Sequence, residues 1–241
     1  MTKFLLGFLL LILLITPLSI TAQETWWKPT AEKPIHWQWK LDSAFNPSKE
    51  FLPNVTVYDI DGFFNSKSTV DTIHAKGYKA ICYIDMGVYE NYRPDAWRFP
   101  KEVIGNKDYN WEGSFWLDIR RLDILGPIMY DRMKMCKDKG FDALEPDEID
   151  GYANNSGFPL TYQNQITYNT WIANTAHSLG LSVGLKGDIE QVKDLEPLFD
   201  WSLNEECFQY KECTYFDLPK FIRANKAVFQ VEYKMRTAQF C

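Results

Sequence analysis

Residues 139–152 read Lys-Gly-Phe-Asp-Ala-Leu-Glu-Pro-Asp-Glu-Ile-Asp-Gly-Tyr. Lys139-Gly140 is the basic residue and glycine that close a helix, and Ala143–Glu145 is a short apolar strand that gives way at once to carboxylates. Helix, glycine and buried strand is the repeating unit of a parallel sheet joined by crossover helices. The same order recurs at Lys76-Gly77 before Ala80–Ile84 and at Leu179-Gly180 before Ser182–Leu185. Working outward, Ile35–Trp39, Val55–Ile60, Ser114–Leu117, Trp201–Leu203 and Ala227–Val231 bring the candidate strands to eight. Helices are predicted at Thr69–Lys76, Ile124–Lys139, Tyr162–Leu179 and Gln191–Leu195. The expected fold is α/β, a TIM-type (β/α)8 barrel. An open doubly wound sheet is disfavoured, because no glycine-rich phosphate turn follows the first strand. Only about ten residues follow the eighth strand, so the barrel is expected to lack a full C-terminal closing helix.

A barrel places its chemistry where apolar strands become polar, at their carboxyl ends. Six of the candidate strands end in acids: Tyr58-Asp59-Ile60-Asp61, Tyr83-Ile84-Asp85, Leu117-Asp118, Glu145-Pro146-Asp147-Glu148-Ile149-Asp150, Lys186-Gly187-Asp188 and Asn204-Glu205-Glu206. Helix capping accounts for Asp59, Asp61, Asp118 and Asp188 as well as function does. The density of acids after the fifth and seventh strands favours function there. Such a ring suits paired carboxylates acting on a glycosidic bond, or a divalent metal held by oxygens. Sugar rings also pack on aromatic faces. Trp37 and Trp39, Tyr83, Tyr152 and Tyr210 are placed to supply them, although packing in the core or at the rim explains each equally well.

The chain opens with Lys3, an apolar run from Phe4 to Leu14 and small residues near Ala22. That layout predicts a signal peptide over residues 1–22, too short to span a membrane, and a single barrel domain over 23–241. A net charge of −6 excludes the basic footprint of a nucleic-acid binder and suits a neutral or cationic partner. In an oxidising compartment Cys207 and Cys213 can bridge a short loop, and Cys82 is either a buried thiol or the partner of Cys136. The fifth cysteine, Cys241, is left unpaired. His36, His74 and His177 lack ligand spacing and no Cys-x-x-Cys occurs, so no metal or other cofactor is expected. Asn54 and Asn154 begin glycosylation sequons.

Glu145–Tyr152, Gly-Leu-Lys-Gly-Asp at 184–188 and Asn-Glu-Glu-Cys-Phe-Gln-Tyr-Lys-Glu-Cys at 204–213 together resemble glycoside hydrolase family 114, as do Tyr58–Asp61 and Tyr83–Gly87. The resemblance implies a TIM-barrel endo-α-1,4-polygalactosaminidase acting on polymers such as galactosaminogalactan. It also implies an Asp and a Glu as catalytic pair, which fall on Asp147 and Glu205. The residues themselves do not separate Asp147 from Glu145 or Asp150, nor Glu205 from Glu206. Two positions depart from the family pattern, Gly187 and Glu148, both of which are Asn in many members. The expected mechanism is retaining, with Asp147 as nucleophile, Glu205 as general acid/base, and Lys186 holding Asp147 ionised. Glu205 is expected partly buried against aromatic or apolar groups. Trp37, Asp59, Tyr83, Asp85, Glu145, Asp150, Tyr152, Lys186, Asp188 and Tyr210 are the expected substrate contacts, the acids suiting a cationic galactosamine chain. The rival readings are a non-catalytic glycan-binding barrel and a divalent-metal enzyme.

Overall fold

The computed structural model describes residues 26–240. The expected signal peptide and Cys241 lie outside them. Seven parallel strands form the main sheet: β1 (Trp37–Lys40), β2 (Val57–Asp61), β3 (Lys79–Asp85), β7 (Ala143–Asp147), β8 (Ser182–Lys186), β9 (Trp201–Glu205) and β10 (Val228–Val231), in that spatial order. The helices that return the chain are α1 (Lys67–His74), α2 (Leu122–Lys139), α3 (Tyr162–Ser178) and α4 (Val192–Leu195), with α5 (Cys207–Tyr210) and α6 (Pro219–Arg223) between β9 and β10. The sheet curls until its two edge strands meet through side chains, the Trp37 and Phe229 ring centroids lying 5.1 Å apart.

One strand departs from the eight-strand expectation. Ser114–Leu117 is β6, and it pairs antiparallel with β4 (Val88–Glu90) and β5 (Ile104–Lys107) in a separate three-stranded sheet inserted between β3 and α2. Its apolar run marks a strand but not the sheet it joins; β3 pairs directly with β7 instead. After β10 the described chain makes one 3-10 turn, Thr237–Gln239, and no further α-helix.

Local chemistry explains the boundaries. Ser66 caps α1 by accepting from the Thr69 amide, Thr161 and Asn164 form a capping box on α3, and Gly140 ends α2 in the left-handed conformation. The outer face of the sheet packs under the helices in one large apolar core. A disulfide between Cys82 of β3 and Cys136 of α2 fastens these layers, and a second joins Cys207 to Cys213. The barrel interior holds a smaller cluster containing Val57, Ile81, Ala143, Trp201, Leu203 and Phe229, closed by Trp27, Trp37 and Trp39. Gly184 leaves room for the Trp201 indole, whose ring atoms lie 2.4 Å from where a Cβ would stand.

Candidate active site

Successive residues of a strand point to opposite faces, so each interior apolar residue is followed two places later by another interior one. On β2, Val57 leads to Asp59; on β3, Ile81 leads to Tyr83 and Asp85; on β7, Ala143 leads to Glu145 and Asp147. On β8, Gly184 leads to Lys186, and on β9, Leu203 leads to Glu205. One end of the cylinder is therefore apolar and the other is lined by ionisable groups.

Lys186 is the hub of that polar end. Its Nζ lies 2.7 Å from Asp147 Oδ1, 3.0 Å from Glu205 Oε1 and 3.3 Å from Glu145 Oε1, and 5.0 Å from the centre of the Trp39 ring. Burial pulls an ammonium toward its neutral form. Here the three carboxylates outweigh that pull and hold Lys186 well above the ordinary lysine range. Asp147 Oδ1 also accepts the Glu148 amide at 2.9 Å. Glu205 accepts from the Tyr233 hydroxyl through its other oxygen. Glu205 is partly buried, with aromatic Tyr233 and the Lys186 ammonium as its neighbours at the mouth.

Beneath this pair, Glu145 accepts the Trp39 indole N–H at 2.9 Å and lies against Asp59. Both acids are fully buried. Burial, then the neighbouring Glu145, push Asp59 well above the carboxylate range.

A cleft of about 1090 Å³ opens above, lined among others by Trp39, Tyr83, Asp85, Glu90, Asp147, Glu148, Glu205, Glu206 and Tyr233. A recess of about 130 Å³ adjoins it, lined by Ile149, Asp150, Lys186 and Gly187 along with the two shared carboxylates and Glu148. Burial and the nearby Asp147 raise Glu148 to about 9 and Asp150 to about 6. Burial, then Glu90, raise Asp85 well above its ordinary value. Glu148 and Gly187 both adopt left-handed backbone, φ 56° and 54°. Asn and Gly tolerate that region, whereas Glu is strained there by about 1–2 kcal/mol. That is the physical reason for an Asn-or-Gly pattern at these two places.

Of the expected contact residues, Tyr83, Asp85, Asp150 and Lys186 line these spaces. The other six do not. Asp59 and Glu145 are sealed beneath Lys186. Asp188 is buried against the Asn169 amide at 2.8 Å, and burial raises it to about 9. Trp37 is one residue pair too deep in the barrel and packs on Phe229. The Tyr152 hydroxyl donates to Glu190, and Tyr210 is an exposed residue at the end of α5. The cleft aromatics that strand-end reasoning missed are Phe64, Tyr92, Trp111 and Tyr233, all in loops. Tyr233 alone had a strand-end signal, two residues after β10. Among the described residues no group of three or more His, Cys, Asp or Glu side chains is arranged to hold a metal ion, and an ammonium occupies the centre of the acid ring.

A curled parallel sheet with two carboxylates meeting at its polar end is the architecture of a TIM-type glycoside hydrolase, and this chain is one. The sequence profile of glycoside-hydrolase family GH114 matches residues 16–241, and the chain belongs to that family. The crystal structure of Aspergillus fumigatus Ega3 in complex with galactosamine is similar at 35% identity, over 88% of this chain and 86% of that one, with a TM-score of 0.81. The glycoside hydrolase domain of PelA from Pseudomonas aeruginosa shares the fold at 10% identity, over 86% and 87%, with a TM-score of 0.62. No curated protein matches by sequence.

Proposed function

We propose that this glycoside hydrolase is a secreted, endo-acting, retaining enzyme that cuts α-1,4-linked galactosamine polymers, with Asp147 as nucleophile and Glu205 as general acid/base. One observation carries the assignment: carboxylates from β7 and β9 meet on a single ammonium at the floor of an open cleft. Their nearest oxygens are no further apart than the 2.7 Å and 3.0 Å contacts laid end to end. That bound on one oxygen pair is compatible with the roughly 5–5.5 Å carboxyl spacing of a double displacement and supports a retaining mechanism.

In the first step Asp147 attacks the anomeric carbon as the glycosidic bond breaks, and Glu205 gives its proton to the leaving oxygen. In the second, Glu205 takes a proton from water, whose oxygen displaces Asp147 and restores both groups. Lys186 orients Asp147 through its 2.7 Å contact. Tyr83, Asp85, Asp150 and Lys186 remain the proposed substrate contacts from the strand ends. Substrate choice is supported by Ega3, solved with galactosamine, and by Asp42 and Glu206 in the cleft, acids suited to an amino sugar in its ammonium form.

Residues 1–22 are proposed as a secretory signal and 23–241 as one domain. Two disulfides support an oxidising destination, and Asn54 and Asn154 are both exposed, as glycosylation requires. No helix among the described residues is long and apolar enough to cross a membrane.

Incubation with α-1,4-galactosamine oligomers and with neutral glycans, read by mass spectrometry and by NMR of the first-formed anomer, tests the reading. Internal cleavage with retained configuration, lost in Asp147→Asn and Glu205→Gln, is the expected result. Binding without turnover by the wild-type protein refutes it.

A further inference from the structure

Resting on that reading, we propose that Phe64, Tyr92 and Trp111 form a stacking platform for the stretch of polysaccharide running away from the reacting bond. All three rings line the large cleft while remaining about half exposed, at 48%, 55% and 63%. Large exposed rings elsewhere, such as Trp97 and Tyr215, do not border it. About half of each ring is left uncovered by the protein in a cleft otherwise rich in acids, and the carbon face of a sugar covers such a ring while its polar groups stay wet.

The platform is built rather than loose. Arg93 is buried between the first two rings, its guanidinium carbon 5.4 Å from the centroids of both Phe64 and Tyr92. That guanidinium is pinned by Glu90 and by Asp61, each at 2.7 Å. The Tyr92 hydroxyl donates to the other Glu90 oxygen at 2.6 Å, which fixes the tilt of its ring. Trp111 sits on the turn between β5 and β6. Two residues later Gly113 passes so near that a Cβ there would stand 3.2 Å from Tyr92 Cδ1, so the turn packs directly on Tyr92.

The small recess that shares Asp147, Glu148 and Glu205 with the cleft carries no aromatic ring in its walls. Tyr92 and Trp111 are supplied by the loops of the antiparallel insertion β4–β6. The occupant is a sugar chain bearing amines: its rings match the three aromatic faces, and its ammonium groups suit a cleft whose lining holds more acids than bases.

The test compares α-1,4-galactosamine oligomers of increasing length, with turnover measured on the active protein and affinity by calorimetry on Glu205→Gln. Trp111→Ala should lower kcat/KM on the longest chains roughly ten-fold, and much less on the shortest that is cut. The same substitution in the Glu205→Gln background should remove most of the gain in affinity with length. Trp111→Phe should restore much of both. Tyr109→Ala, an exposed ring outside the cleft, should behave as wild type. An equal loss at every length, or none at any length, overturns the platform. Length-dependent binding that Trp111→Ala abolishes, in a protein that never cuts, sustains the platform and sinks the hydrolytic reading instead.

Discussion

Replacing Lys186 by Met keeps the length and volume of the side chain and deletes its charge. Three carboxylates lie within 3.3 Å of that charge, and the Lys186 side chain is only 6% exposed. Removing one partner of a buried ion pair costs about 3–5 kcal/mol, because the groups left behind are charged and desolvated. The loss is smaller if they take up protons. The variant should therefore lose roughly 3–5 kcal/mol of stability at pH 7. For Lys186 itself the sign is fixed by its raised value: its contribution is whole below the ordinary lysine value near 10.4 and disappears only as pH rises past its folded value. Activity should fall more steeply than stability, roughly 10²-fold or more in kcat/KM, because the ammonium that holds Asp147 and Glu205 together is gone. Urea unfolding at pH 7, alongside kcat/KM, measures both. Wild-type stability together with wild-type kcat/KM would refute the role of Lys186 as hub.

Glu148 and Asp188 at about 9, with Asp150 at about 6, are acids whose folded values are raised, so the native protein binds more protons than the unfolded chain. Stability should decline from about pH 4 toward pH 9, and Glu148→Gln should flatten that slope in thermal melts. Cleavage of a cationic galactosamine polymer should weaken as salt rises from 10 mM to 1 M, whereas a fully acetylated chain should show little change; insensitivity in the first case rules out the electrostatic part of substrate capture. Replacing Cys82 and Cys136 together by Ala opens a 54-residue loop and should cost about 4 kcal/mol, seen as a lower urea midpoint. Reduction of the Cys207–Cys213 pair, only six residues apart, should cost less stability.

Much of this was written in local order. The glycine after each helix, the apolar strand and the acids that follow it are short-range features, and they placed β2, β3, β7, β8, β9 and β10 and drew attention to the segments bearing Asp147 and Glu205. Alternation along each strand is likewise local, which is why Tyr83, Asp85 and Lys186 were legible as mouth residues. The fate of Ser114–Leu117 was not, because an apolar run fixes strand character while its partners are chosen by chain segments far away. Depth in the barrel was equally hidden: Trp37 and Trp39 look alike in sequence, yet register packs the first on Phe229 and brings the second under Lys186. Asp59 and Glu145 carry the same carboxyl as Asp147, and only the closing of the cylinder sealed them away from any ligand. The aromatic wall came from loops with no periodicity to read. What remained for tertiary structure to decide was therefore distance across the barrel, since an ammonium can hold Asp147 and Glu205 together only after strands 58 residues apart at those two positions have been brought side by side.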